Sequence, residues 1–418
     1  MNKLKLKRLQ EVSLEDITAQ SERARAMMGQ IRTAMLAPTA RKSPPIFNLS
    51  QLAALCGTEK GSINHRMTRG GLPQGKLNAS GSRREFTLAE SREWIKEYRK
   101  DQRRRPGAEA VTISVGNFKG GVTKTTTAVT LAQGLSLRGH RVLVIDVDPQ
   151  GSLTTLFGIL PDTEVEEEQT ILPLAMGSES SIRYAIRPTY WDGIDIVAAA
   201  PLLFGAEFAL PARQAGDPDF QFWSVLDLAI DDVRDEYDVI VIDTPPALSY
   251  MTISALMASD GIIMPLPPNP LDFASEAQFW TLFSELTSGF KVQRGYDKKF
   301  AFMHILLARV DSSDSASNVV RQWIGQTYAE KVLPVEIPKT AVASSSSAEF
   351  GTVYDVSRYD GSAKTLKRAR DAYDMFVEYV EGSIREVWEG QVEAAEAKAS
   401  GAARMPNAVD AKQSEGVA

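Results

Sequence analysis

The sequence predicts a doubly wound, mostly parallel α/β sheet preceded by a small helical winged helix-turn-helix domain, and three observations carry that reading. From about residue 108 to Glu389, β-branched runs alternate with helical patterns, as they do where crossover helices join parallel strands. The first run, Val111–Val115, leads within a few residues into Phe118-Lys119-Gly120-Gly121-Val122-Thr123-Lys124-Thr125, a glycine turn that feeds a helix. Charge divides the chain: residues 1–110 hold 22 Lys and Arg against 11 Asp and Glu, and the remainder holds 25 against 42. The overall −6 therefore conceals a basic front and an acidic body.

The glycine turn has the chemistry of a nucleoside triphosphate site. Gly120 and Gly121 let backbone N–H groups close on phosphate oxygens, and a helix starting near Lys124 aims its positive end at the anion. Lys124 can then reach the β- and γ-phosphates, and Thr125 offers a hydroxyl to Mg²⁺. The strict pattern G-x-x-x-x-G-K-[ST] fails, because Phe118 and Thr123 occupy its glycine positions; K-G-G-x-x-K-[ST] fits. A Gly-Gly turn can also be a plain tight connection, but two more strands argue otherwise. Arg141 to Gly151 reads as a buried strand ending in Asp146 and Asp148, and Tyr237 to Pro246 as another ending in Asp243. Carboxyl ends of strands are where such sheets bind ligands. Further strands are expected at Ile194–Ala199, Gly261–Pro265, Phe300–Arg309 and Leu333–Ile337, while 160–187 and 204–219 follow no regular pattern.

These three motifs resemble those of the ParA/MinD group of ATPases, whose deviant Walker A loop carries an extra signature lysine, here Lys119. The resemblance implies an ATPase that converts ATP to ADP and phosphate with Mg²⁺. The nucleotide would contact Lys119, Gly120, Gly121, Val122, Thr123, Lys124, Thr125 and Thr126. It further implies that Thr125 coordinates the ion, that Asp243 holds it through water and that Asp146 supports its shell. Asp148 would orient the attacking water. Lys119 would reach across a homodimer to the partner's phosphates, much as an arginine finger does. The loops Asn269-Pro270-Leu271-Asp272-Phe273 and Ile337-Pro338-Lys339-Thr340 resemble the family's late strand-end loops, which makes Pro338 a candidate for adenine contact.

The basic front contains a second pattern. Phe47 to Gly57 reads as a short amphipathic helix capped by Asn48 or Ser50; Thr58 could cap a second, bearing Lys60, Ser62, Asn64, His65, Arg66 and Arg69. That spacing suits a helix-turn-helix whose second helix enters a major groove. A polar hairpin follows from Gly75 to Gly81, then Arg83 and Arg84 as a basic wing, then a helix from Leu88 to about Lys100. The order resembles the winged MerR-like module of the longer ParA-family members. Before it, Ser13 to Asp16 starts a helix running through Met35, with apolar residues along one side, suited to a dimer contact or to simple packing. Pro38–Pro45 and Arg103–Gly107 read as linkers. The expected domains are thus 1–38, 45–102 and 108–389, with disorder expected over 390–418.

One cysteine, Cys56, excludes a disulfide framework and a cysteine-ligated cluster, and the three histidines lack ligand spacing. No apolar run has membrane-spanning length, and no amphipathic membrane helix is expected near the end of the chain. Within the resembled group the best match is a long ParA-type partition ATPase, cytoplasmic and nucleoid-associated. Its implied partners are a ParB-type centromere-binding protein, operator DNA and non-specific DNA. A transcriptional repressor whose nucleotide state sets operator affinity is the alternative. Lys364, Lys367, Arg368 and Arg370, at the start of a late helix, offer the acidic body a local basic cluster for non-specific DNA.

Overall fold

In the computed structural model, residues 12–35, 42–311, 313–339, 351–355 and 362–401 are described. Thr340, Pro38 and residues 402–418 lie outside them. Helix α1 (Leu14–Met35) belongs to a unit of its own. Its start is reciprocal: Ser13 N donates to the Asp16 carboxylate and Asp16 N to the Ser13 hydroxyl, which satisfies end donors that the helix leaves unpaired.

The second unit begins with the winged module: β1 (Phe47–Asn48), α2 (Leu49–Leu55), α3 (Lys60–Thr68), β2 (Lys76–Leu77), β3 (Arg84–Phe86) and α4 (Leu88–Tyr98). Asn48, not Ser50, caps α2, in a capping box with Gln51. Thr58 does not cap α3: it belongs to the turn closing α2, where its N–H donates to the Ala53 carbonyl, and Glu59 takes the cap position without a side-chain bond. Thr87 and Glu90 form a second capping box at α4. The strands pair antiparallel in the order β1-β3-β2 and make the wing. Gly75 permits the hairpin, since at φ +62° an added Cβ would sit 2.5 Å from the Glu85 carbonyl. Leu52, Ile63, Phe86, Trp94 and Ile95 form the module's core. Cys56 is buried among them, and burial pushes its thiol up to about 12.

The α/β domain follows as β4 (Val111–Val115), α5 (Lys124–Ser136), β5 (Val142–Asp146), α6 (Ser152–Leu156), α7 (Leu172–Met176), β6 (Arg187–Pro188), β7 (Ile194–Val197), α8 (Ala206–Gly216) and α9 (Val225–Ile230). Then come β8 (Val239–Asp243), α10 (Tyr250–Met257), β9 (Gly261–Leu266), α11 (Pro270–Arg294), β10 (Phe302–Val310), α12 (Ser315–Tyr328), β11 (Val332–Pro338) and α13 (Ala363–Gly401). The sheet order is β11-β10-β9-β4-β8-β5-β7-β6, parallel except for the β6 edge. The two stretches without regular pattern fold as short helices, with α7 and α8 packed on each other. Helix α13 passes Gly390, where disorder was expected, and runs to Gly401. The Trp388 indole donates to the Glu109 carbonyl, and Gln391 accepts from Glu109 N–H. The helix is thereby anchored at the foot of β4 and continues through a segment of strong helix formers.

The stretch Arg103–Gly107, expected as a linker, is partly fastened: Arg104 is ion-paired with Asp238 and donates to the Asp235 and Ala108 carbonyls. Helix α4 docks on the far end of α5. Arg92, buried on α4, donates to the Ser136 and His140 carbonyls and pairs with Asp192. Gly193 makes room, because a Cβ there would lie 2.0 Å from the Arg92 guanidinium carbon. Beside it, the Glu381 carboxylate accepts from Arg99, Arg138 and His140 at 2.7–2.9 Å. Burial alone would raise the Glu381 carboxyl; the His140 bond and the Arg138 and Arg99 charges outweigh it and hold it at about 2. Unfolded, the same group titrates near 4.5, so at neutral pH the pairing contributes about 3 kcal/mol. We predict that Glu381→Gln lowers unfolding free energy by about that amount at pH 7. In urea titrations the deficit should shrink as pH falls from about 4.5 towards 2, where the wild-type carboxylate also protonates.

Candidate functional site

Strand register assembles the site. β4 and β5 both flank β8, with Val115 opposite Asp243 and Asp146 opposite Asp243. The three strand ends therefore stop at one level, and the Lys119–Lys124 turn leaves from β4, beside the central β8. Later strands add on the other side of β4, so the loop sits at the switch point where strand order reverses. Helix α5 starts at Lys124 and points its N-terminus into this crevice. Thr123, its N-cap, is left-handed at φ 76°, and its hydroxyl is buried without a hydrogen-bond partner.

The carboxylates divide their work. Asp146 accepts from Asp148 N–H on one oxygen and from both the N–H and hydroxyl of Thr154 on the other. It thus holds the loop that carries Asp148. Burial pushes its carboxyl up to about 7 against the pull of the Thr154 bonds. Asp243 is different: it is fully buried and neither oxygen has a hydrogen-bond partner among the described residues. Burial first, then the charge of Asp146, raise its carboxyl well above the usual range, while the neighbouring Thr125 hydroxyl and Lys124 pull the other way. Asp148, 8% exposed, accepts from Gln150 N–H and is raised by burial, with Lys124 opposing. Lys124 is itself buried; burial lowers its ammonium, and Nζ donates to the Lys119 carbonyl at 2.9 Å.

Lys119 is only half-buried, yet its head group is engaged. Its Nζ is ion-paired with Asp272 at the start of α11, a carboxylate 4% exposed. Beside the pair opens a cavity of about 360 Å³ lined by Gly121, Asn269, Asp272, Arg309, Asp311 and Lys339, among others, within the size range of small-ligand sites. Pro338 ends β11 one residue short of that lining. Arg309 was not anticipated from the sequence, although its place at the end of a strand was a signal. It donates to the Gly121 carbonyl from a left-handed backbone at φ 54°, clamping the loop from β10.

The comparisons with known proteins agree with this geometry. Residues 110–293 match the family described as AAA domain. A Rhizobium rhizogenes protein provisionally named replication protein A is 32% identical over 391 residues, covering 89% of this chain and 96% of that protein. The chromosome partitioning protein ParA of Caulobacter vibrioides is 30% identical over 267 residues, covering 62% of this chain and 92% of its own length. The chain belongs to the ParA family of P-loop ATPases. It is accordingly an ATP-hydrolysing enzyme of the partition class. The fold extends to a solved structure described as Partition Protein, at TM-score 0.62 and 21% identity, covering 87% of this chain and 98% of that one. A Mg²⁺ ion fits the residues present: a buried carboxylate without partners, Asp243, lies beside a hydroxyl, Thr125, which are hard oxygen donors of the kind this ion takes.

The DNA candidates of this ParA-family chain separate into two groups. Ser62 shares a hydrogen bond with Tyr98, Arg66 donates to the Gly70 carbonyl and Arg84 to the Gln74 carbonyl, so these three hold their own module together. Asn64, His65, Arg69 and Arg83 are exposed, with no side-chain partner among the described residues. On α13, Lys367 pairs with Asp371 and Arg370 with Asp374, leaving Lys364 and Arg368 exposed without an ion pair among the described residues.

A β-branched residue held left-handed costs roughly 1–3 kcal/mol. Thr123→Gly relieves that strain and removes an unpaired hydroxyl, against an entropic cost of about 0.5–1 kcal/mol for glycine. The nucleotide-free variant should gain about 1 kcal/mol in denaturant unfolding; unchanged or reduced stability would show that the Thr123 hydroxyl has a stabilising partner.

Proposed function

We propose that this chain is an ATP-dependent DNA partition ATPase that dimerises on ATP, binds DNA without sequence preference, is stimulated by a ParB-type partner and represses its own operon through the winged module. It would act in the cytoplasm at the nucleoid. The observation that carries the reading is the union, in one unit, of a partnerless Asp243 beside the phosphate loop with a helix whose Asn64, His65 and Arg69 face outward. A repressor that used nucleotide only as a signal would not need Asp148 poised beside the phosphate lysine.

In this reading the loop N–H groups and Lys124 bind the β- and γ-phosphates, and Lys124 gives up its bond to the Lys119 carbonyl to do so. Bound Mg²⁺, held at Thr125 and near Asp243, would supply charge neutralisation on the phosphate oxygens. Asp148 orients a water at the γ-phosphorus and receives its proton as the β–γ bridging bond breaks, leaving ADP and phosphate. Lys119 must leave Asp272 before it can serve a partner's phosphates, so dimerisation and catalysis would share one switch.

Lys124→Ala should abolish ATP binding in calorimetry, whereas Asp148→Ala should bind ATP normally and slow turnover a hundredfold or more. Tight ATP binding by the first variant, or wild-type turnover by the second, would reassign the site.

The two DNA surfaces should also separate. Arg69→Ala should weaken binding to a specific site near the protein's own promoter and spare random DNA; Lys364→Ala with Arg368→Ala should do the reverse and lower the salt slope by about two. Gel-shift titrations at several salt concentrations read both, and equal losses on both DNAs from either variant would merge the surfaces into one.

A further inference from the structure

We infer that the connector between the winged module and the sheet joins α13 in a second phosphate-binding site, and that its ligand is the backbone phosphate of duplex DNA. The site lies away from the nucleotide loop and rests on the DNA-binding reading above. Arg103, extended at φ −89° and ψ 164°, opens the run Arg103-Arg104-Arg105. In extended chain, side chains alternate in direction. Arg104 is spent on Asp238 and two carbonyls, while Arg103 and Arg105 line a different, shallow cavity of about 40 Å³.

Helix α13 supplies the other wall. Arg385, Trp388 and Glu389 line the same cavity, at the i, i+3 and i+4 spacing that shares one helix face. Trp388 is fixed by the Glu109 carbonyl, so connector and helix are held in place before any ligand arrives. Asp101 and Glu389 also border the cavity, yet among the described residues no ion pair joins either acid to Arg103, Arg105 or Arg385. The Arg103 Nε is buried and has no hydrogen-bond acceptor. A buried guanidinium N–H without an acceptor is costly, and it points to one that arrives with a ligand.

Three guanidinium groups against two carboxylates leave the site net positive, and planar guanidinium forks match phosphate oxygens two at a time. The cavity is too small for a nucleoside and shallow enough for a phosphate presented on a polymer. Two of the three arginines come from the basic front of the chain and the third, Arg385, from the acidic remainder, so the site forms where the two parts meet. Its attachment to the connector lets it grip the same duplex as the winged module or an adjacent one.

The test uses the full chain with ATP and Mg²⁺ and a fluorescent random-sequence duplex, titrated at several salt concentrations. For Arg103→Gln, Arg105→Gln and Arg385→Gln combined, the slope of log affinity against log salt should fall by about two to three, as each lost phosphate contact removes about 0.9. Lys299→Gln with Lys331→Gln, two exposed lysines outside the cavity's lining, should leave the slope unchanged. DNA-free ATP turnover and thermal midpoint should stay at wild-type values. If the triple variant folds poorly, Arg385→Gln alone, on the exposed helix face, should lower the slope by about one. An unchanged slope in a folded variant overturns the site. Calorimetry with inorganic phosphate separates the source: phosphate binding lost in the variant while duplex binding is retained would mean a small-anion site and overturn the DNA assignment. Failure of the wild type to bind random duplex at all would instead strike the DNA-binding reading itself, and this inference with it.

Discussion

Everything at the nucleotide end of this molecule depends on the pairing register of three strands. A parallel register that places Asp146 opposite Asp243, with β4 ending level beside them, puts two carboxylates about one strand spacing apart. That closeness is unfavourable in a buried site, and the structure resolves it by giving the two acids unequal environments. Asp146 is saturated with donors from its own loop, and Asp243 is left without any. A one-residue slip in β5 would turn Asp146 to the other face of the sheet, removing both the support of the Asp148 loop and the contrast between the acids.

Economy of contacts also governs the loop: Lys124 donates to a backbone carbonyl of the loop and Lys119 pairs with a buried carboxylate on α11. Both lysines are thus held by groups that a phosphate can replace. Arg309, which lines the same cavity, holds the Gly121 carbonyl. The loop is therefore tethered at both ends of its glycine pair before substrate binds, which reduces the ordering that binding must still achieve.

Much of this was legible in the sequence because local chemistry and strand-end position agree there. The phosphate loop, Asp146, Asp148 and Asp243 each follow a β-branched run, and the structure gathers them as the alternation implied. The order of short helices and a hairpin ahead of the sheet was legible through its turn residues. What was not legible involves partners distant in sequence. Nothing local distinguishes Arg66, folded onto Gly70, from Arg69, which is free, nor the spent Lys367 from the available Lys364. Asp272 read as part of a loop, and only its pairing with Lys119 across 153 positions reveals its use. Helix α13 outran its expected end because the anchoring group, Glu109, lies on the far side of the chain. The short helices α7, α8 and α9 pack chiefly on one another and on α10, so no periodic stripe announced them.

Helix α5 has the phosphate loop at one end and, thirteen residues on, the Ser136 carbonyl that receives Arg92 from the winged module. A glycine at 193 exists to admit that arginine. The N-terminal module is therefore built into the ATPase domain as a joint with matched halves, not carried as an interchangeable cassette. Any exchange of this module between related chains would have to carry the α4 arginine together with the Asp192-Gly193 turn that receives it, so crossover points between the two domains should be rare, and reshuffling should fall within the module, between α3 and α4.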